Sequence, residues 1–353
     1  MPGATQARSF LGFERHTLAP EDCDLAREVA IGLNAVITAV TEEVPRFLAV
    51  KAAGNKPAVP FDALPLGTFD PARDRTLELG LRRWVREKTG IDIGYVEQLY
   101  TFGNRNRDPD ESRGGPRVIS IAYLALVREV PLAGGEQAVW RDWYRYFPWE
   151  DWRAGRPTVI DRKIAPALDR WIRAVAAEES RRERQERCDI YFGLHGAPWV
   201  AERVLDRYEL IYEIGLAGEA ARDGKISGTH AHDASHRSRR ETLGQPMAFD
   251  HRRILATALG RLRGKLKYRP VVFELLPDTF TLLQLQRVVE ALVGMGLHKQ
   301  NLRRLVESGG LVEGTGCVDI RTGGRPAELF RFRRDVLRER PAPGVGISGL
   351  LHG

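Results

Sequence analysis

The sequence predicts an α+β chain: a mixed α/β domain, a helical insertion, and two C-terminal helices followed by short strands. Three observations carry this. Apolar and β-branched runs at 35–40, 47–51, 96–102 and 118–127 surround one helical pattern at 76–89. Residues 157–221 then change to helical spacing. Beyond 281, a helix, a tight turn, a polar-basic helix and glycine-punctuated strands follow in order.

In the first domain, placed at 1–156, the two opening strands join through 41–46, and the three prolines within 55–65 mark a loop. Leu77, Leu81, Trp84 and Val85 recur at helical spacing, and Gly90 stops that helix. The Gly, Asp and Arg-rich stretch 103–115 reads as a long exposed loop between the last two strands. Trp140, Trp143, Tyr144, Tyr146, Phe147, Trp149 and Trp152 form a dense aromatic patch. It reads as core or interface packing in preference to a platform for stacking adenine.

Residues 157–247 read as a helical insertion ending in a polar linker. Ile164, Leu168, Trp171, Ile172 and Val175 make an amphipathic stripe, followed by the charged run 178–187. A second pattern over 199–216 sets Leu205, Tyr208, Tyr212 and Leu216 near one face. His230, His232 and His236, with Asp233, lie in the polar stretch 227–245 and read as solvated loop side chains rather than metal ligands. A basic helix is expected over 252–266.

Thr281 can cap a helix whose apolar face is Leu282, Leu285, Val288, Val289 and Leu292. Gly294-Met295-Gly296 makes the turn, and a helix over 298–308 buries Leu302, Leu305 and Val306. Its other face carries Lys299, Gln300, Asn301, Arg303 and Arg304, side chains suited to phosphates and base edges. Strand pieces follow at 311–313, 317–321 and 327–333, with Arg321, Thr322 and Arg325 around the last turn. This order describes a winged helix-turn-helix, placed at 248–340 before a flexible tail at 341–353. Thr281 and the basic residues of the second helix and last turn are the candidate DNA contacts. Residues 251–340 hold 18 Lys/Arg against 9 Asp/Glu, whereas the whole chain carries only +7. Such a concentration of positive charge is the footprint of a nucleic-acid-binding module. With one reading helix per chain, the expected partner is near-palindromic operator DNA bound by a homodimer.

The longest apolar runs are too short to span a bilayer, and no basic-then-apolar leader precedes a cleavage site. Cys23, Cys188 and Cys317 have no metal-ligand spacing, so a cytoplasmic protein without metal is expected. No phosphate-binding GK[ST] loop or dinucleotide fingerprint occurs.

Residues 64–91, LPLGTFDPARDRTLELGLRRWVREKTGI, resemble the Nudix box. Arg83, Val85, Glu87, Gly90 and Ile91 fall on its Arg, apolar, Glu, Gly and apolar positions, and Gly67 is its opening glycine displaced by two residues. Trp84 and Lys88 replace two metal-binding glutamates, and Arg75 a third. Hard divalent cations need several carboxylates on one helix face, so the box implies a degenerate Nudix fold, an α/β/α sandwich, used for binding rather than hydrolysis. Glu87 could instead pair with Arg83. The alternative is an active nucleoside-diphosphate-X hydrolase with an atypical metal site. Residues 95–127, 249–277 and 324–332 are similar to the Nudix-related transcriptional regulators (NrtR), and the insertion makes the chain look most like their NadQ branch of NAD-biosynthesis repressors. The resemblance implies a repressor with an adenine-nucleotide effector (NAD, ADP-ribose or ATP). Arg83, Lys88, Arg105 and Arg107 are candidate phosphate partners, beside Gly67 and Glu87 of the box. For Tyr100, Phe102 and Tyr123, ligand contact and strand packing are equally open.

Overall fold

A computed structural model describes residues 29–51, 61–105, 107, 111, 114–132, 138–224, 243–320 and 326–345. Strands β1 (Val29–Thr41) and β2 (Val44–Lys51) form a hairpin whose two turn residues, Glu42 and Glu43, both have positive φ (50° and 65°). Short strands β3 (Asp62–Ala63) and β4 (Leu66–Thr68) precede α1 (Leu77–Thr89), and β5 (Tyr95–Phe102), β6 (Arg117–Leu126) and β7 (Ala138–Asp142) complete the sheet. Its order is β3-β2-β1-β6-β5, with β4 on β1 and β7 on β2. Only the β1–β6 pairing is parallel. Central β1 is buried continuously from Leu33 to Ala39 because both faces of the sheet are covered, which explains its unbroken apolar run.

Odd-numbered Leu33, Ala35 and Ile37 of β1, with Tyr123 and Ala125 of β6, pack beneath Leu81, Trp84 and Val85 of α1. The Thr76 hydroxyl accepts from the Leu79 N–H (3.1 Å) to start α1, and Gly90 ends it at φ 72°. Even-numbered Val36, Ala122, Leu124 and Leu126 belong to a larger core on the opposite face. Trp143, Tyr146, Phe147 and Trp149 lie in that core at 0% exposure, so this part of the aromatic patch is packing.

The insertion is helical. A π-helical turn (Ile160–Ile164) leads into α2 (Ala165–Arg173), then α3 (Glu178–Phe192), α4 (Val204–Glu213) and α5 (Gly218–Arg222). Helix α6 (His251–Leu266) packs on α4 and on β1, β5 and β6. The larger core continues without a break through these helices into the C-terminal segment. The linker histidines and Asp233 lie outside the described residues.

Helix α6 was expected to be a basic helix, and its charge turns inward. Arg252 and Arg263 are buried, bonded to Glu219 and Glu150. Arg253 pairs with Glu209, Lys265 and Arg261 with Glu97, and beyond the helix Lys267 pairs with Glu202. Much of the positive charge that the sequence assigns to a nucleic-acid footprint therefore neutralises acids of the preceding body.

Helices α7 (Leu282–Val293) and α8 (Lys299–Ser308) precede a two-stranded wing, β8 (Val312–Asp319) with β9 (Ala327–Phe332). The expected strand pieces at 311–313 and 317–321 are one strand whose register shifts between Gly314 and Val318. Residues 341–345 depart from the expected free tail. Val345 is 1% exposed and its N–H donates to the Leu266 carbonyl (3.0 Å). No helix among the described residues is long and apolar enough to cross a membrane.

Candidate functional site

On α1, the residues of the altered box form a closed cluster. The Trp84 indole, 8% exposed, covers Gly67, where any Cβ would overlap the ring. Glycine at that position is thus a requirement of Trp84 packing. Arg83 donates to both carboxylate oxygens of Asp74 (2.8 and 2.9 Å) and to Glu87 (3.0 Å). The guanidinium holds the Asp74 carboxyl below the usual carboxylate range, the direction expected of a carboxylate that accepts charge-assisted bonds. Asp74 is the residue sequence reasoning missed. Only its position, one residue before the lost glutamate at Arg75, hinted at it. Lys88 is exposed at the end of the helix.

The candidate ligand residues divide between two faces of the sheet. Gly67, Arg83, Glu87 and Lys88 lie on α1 or against it, and Tyr123 faces the same side, its hydroxyl 3.4 Å from Gln98 Oε1. Phe102 packs into the opposite core, and Tyr100 meets it edge-on at 5.4 Å while remaining 64% exposed. The cause is a bulge in β5: Gln98 pairs with Tyr123, yet Tyr100 pairs with Ala122. One extra residue moves Tyr100 and Phe102 from the α1 face to the other. Arg107, read as a phosphate partner, bonds Asp250 and Ser120 on that second face, and its side chain is 5% exposed. Arg83 is engaged in the same way, so among the four candidate cations Lys88 and Arg105 are the exposed ones.

Beside Arg107 lies a buried polar pair. The Leu64 N–H donates to His251 Nδ1 (2.9 Å), and the Asn34 carboxamide lies 3.3 Å from Nε2. With Nδ1 accepting, the neutral ring carries its proton on Nε2. Turning the Asn34 amide over lets its oxygen accept that proton, and gives a partner to an oxygen that is otherwise orphaned. Burial pushes the His251 pKa down to about 4. The unfolded chain takes up this proton near pH 6.5, so the stability gained by keeping the ring neutral is present above that value and is lost as pH falls towards 4. Between pH 7 and 5 the loss should be about 2 kcal/mol. Urea unfolding across that range should show this slope in the parent and a flatter one in His251→Gln. Equal slopes would remove His251 as the source.

The second candidate surface is α8. Lys299, Gln300, Arg303 and Arg304 are exposed and Asn301 is half-buried, while Leu302 and Val306 face the core. Arg303 reaches Glu307 (2.9 Å) and Arg304 reaches Asn301 (3.4 Å), both local interactions. Thr281 is placed otherwise than expected. It is 5% exposed, and its hydroxyl accepts from the Gln284 N–H (3.2 Å) within a capping box, so it starts α7 instead of presenting itself to DNA. Arg321, Thr322 and Arg325 lie outside the described residues.

The last turn of α7 is bound to the body. Tyr144 Oη donates to the Ala291 carbonyl (2.6 Å), Arg263 Nε to that of Leu292 (3.1 Å), and the Trp152 N–H to that of Gly294 (2.6 Å). Arg287 on the same helix pairs with Glu43 in the β1–β2 turn. The C-terminal end of α7 is thereby tied to the rest of the chain.

Comparison with known proteins agrees with this architecture. Residues 272–332 match the NrtR DNA-binding winged helix domain. An ADPR responsive transcriptional repressor of Acinetobacter baylyi is 25% identical over 278 residues, 79% of this chain and 72% of that protein. The structure of Shewanella oneidensis NrtR complexed with a 27mer DNA superposes with a TM-score of 0.51 at 22% identity, covering 87% of this chain and 95% of that one. A second structure of Shewanella oneidensis NrtR gives 0.50 at 20% identity, with the same coverage. The chain joins a Nudix-like fold to an NrtR-type winged helix domain, as the resemblance in its sequence implies.

Proposed function

We propose that this chain is a ligand-responsive transcriptional repressor. Its winged helix reads a near-palindromic operator as a homodimer, and its Nudix-like domain binds an adenine nucleotide without hydrolysing it. The observation that carries this reading is the clamp on α7: backbone carbonyls of its C-terminal end accept from Tyr144 and Trp152 of the first domain and from Arg263 of α6, itself bonded to Glu150. A ligand shifts DNA affinity only by favouring one domain arrangement over another, and a helix bonded to the sensor supplies that connection. Trp84 over Gly67, with Lys88 one turn further along α1, argues against the hydrolase alternative, because an indole and an ammonium stand where metal-binding glutamates belong. ADP-ribose is the first effector to test, given the responsiveness named for the Acinetobacter relative, with NAD and ATP beside it. Control of NAD-biosynthesis genes is the matching role.

The test is calorimetric titration of ADP-ribose into the protein alone and into its complex with a duplex selected from a randomised pool, at one salt concentration. Linkage requires the two affinities to differ, by roughly 5- to 150-fold for ordinary allosteric coupling. Equal affinities would overturn the sensor reading.

A further inference from the structure

Arginines in and beside the insertion divide into paired and unpaired ones. Arg156 bonds Asp161, Arg181 bonds Glu178, Arg187 bonds Glu213, and Arg203 bonds Asp206. Arg162, Arg170 and Arg173 differ. All three are exposed, and none has an ion pair among the described residues; Arg182 of α3 is likewise exposed and without an ion pair, but it lies on another helix. They lie along one element, the π-helical turn running into α2, whose inner face buries Ile160, Ile164, Leu168 and Ile172. Of the acidic residues on that element, Asp161 is held by Arg156, leaving Asp169 as the exposed negative charge.

The chain connection of this ridge points to a partner. The segment leading into it is fastened to the helix-turn-helix: Trp152 bonds Gly294 in the turn and forms a β-bridge with Met295. The reading helix begins at Lys299, three residues beyond that turn. From Arg162 to Arg173 the element is roughly 16 Å long at helical rise. That equals the rise of about five base pairs along the DNA axis. Guanidinium groups suit phosphate oxygens in geometry as well as charge.

We propose that Arg162, Arg170 and Arg173 form an auxiliary DNA-backbone contact, which engages phosphates flanking the sequence read by α8. The inference rests on the DNA-binding reading above and extends the footprint beyond the winged helix. Phosphate interactions of this kind carry no base information, so they add affinity and salt dependence while leaving sequence preference unchanged.

The test uses full-length protein and the triple variant Arg162→Gln, Arg170→Gln, Arg173→Gln, whose equal thermal midpoints would show that folding is kept. Each binds two operator duplexes, one trimmed to the selected site and one extended by about ten base pairs, a helical turn, on both sides. The parent should bind the long duplex more tightly. The variant should lose that advantage, with at least about a 10-fold weaker affinity and a salt slope shallower by about 2–3, as the removal of three phosphate-neutralising charges requires. On the trimmed duplex the two proteins should match. Equal binding of the long duplex, equal loss on both duplexes, or a changed oligomeric state in the variant would overturn the proposal. A parent that does not prefer operator over random duplex would overturn the DNA-binding reading, and this proposal with it.

Discussion

Glu150→Ala should cost the protein about 3–5 kcal/mol of stability, the scale of breaking a buried ion pair from one side. The carboxylate is fully buried, bonded to Arg207 (2.6 and 2.9 Å) and to Arg263 (2.5 Å), and both guanidiniums are buried with it. One acid thus holds two cations from different segments, and removing it leaves two like charges facing each other away from water. Burial already lowers the Arg207 pKa, the sign of a cation that depends on its partner. The remaining bonds of the arginines, to the Tyr191, Val200 and Ala201 carbonyls and from Arg263 to Leu292, cannot supply the missing charge. Urea unfolding of parent and variant would measure the loss. The half-exposed pair Arg253–Glu209 offers a control, where Glu209→Ala should cost far less because water screens the charge left behind. Similar costs at the two sites would mean that the buried triad is not a focus of stability.

The second large effect is expected on DNA binding. Arg303→Ala combined with Arg304→Ala should weaken operator affinity by about 30-fold or more, at roughly 1–3 kcal/mol for each arginine that engages a base or a phosphate. Both side chains are exposed and bonded only within α8, so the thermal midpoint should stay near that of the parent. If the arginines neutralise phosphates, the salt slope should fall by about one for each; if they read bases, preference should relax at single positions. Operator affinity equal to the parent's would show that α8 is not the reading helix.

These two substitutions separate positive charges that look alike in the sequence. Arg263 and Arg303 both contribute to the basic C-terminal third, yet one is 2% exposed against Glu150 and the other points to solvent. The amphipathic spacing within α8 is enough to place Arg303 outside. For α6 the helical pattern was legible, but its acidic partners stand at Glu97, Glu150, Glu209 and Glu219, far away in the chain. Charge complementarity between distant segments leaves no local signature.

What the sequence determined by itself was local and periodic. Helix α1 with its stop at Gly90, the capped α7, the glycine turn at 294–296 and the outward face of α8 follow from propensity, capping chemistry and hydrophobic spacing. The loss of metal carboxylates at Trp84 and Lys88 was equally plain, since it depends on residue type at fixed positions. Tertiary structure alone decided which candidate ligand residues share a face. A bulge after Gln98 reverses the alternation of β5, so Tyr100 and Phe102 part from Tyr123, and no residue near 99 announces the shift. It decided, too, that Arg83 and Arg107 are held by Asp74 and Asp250, leaving Lys88 and Arg105 exposed. Side-chain direction in a strand turns on a single residue of register, and the fate of a buried charge turns on what the fold brings beside it.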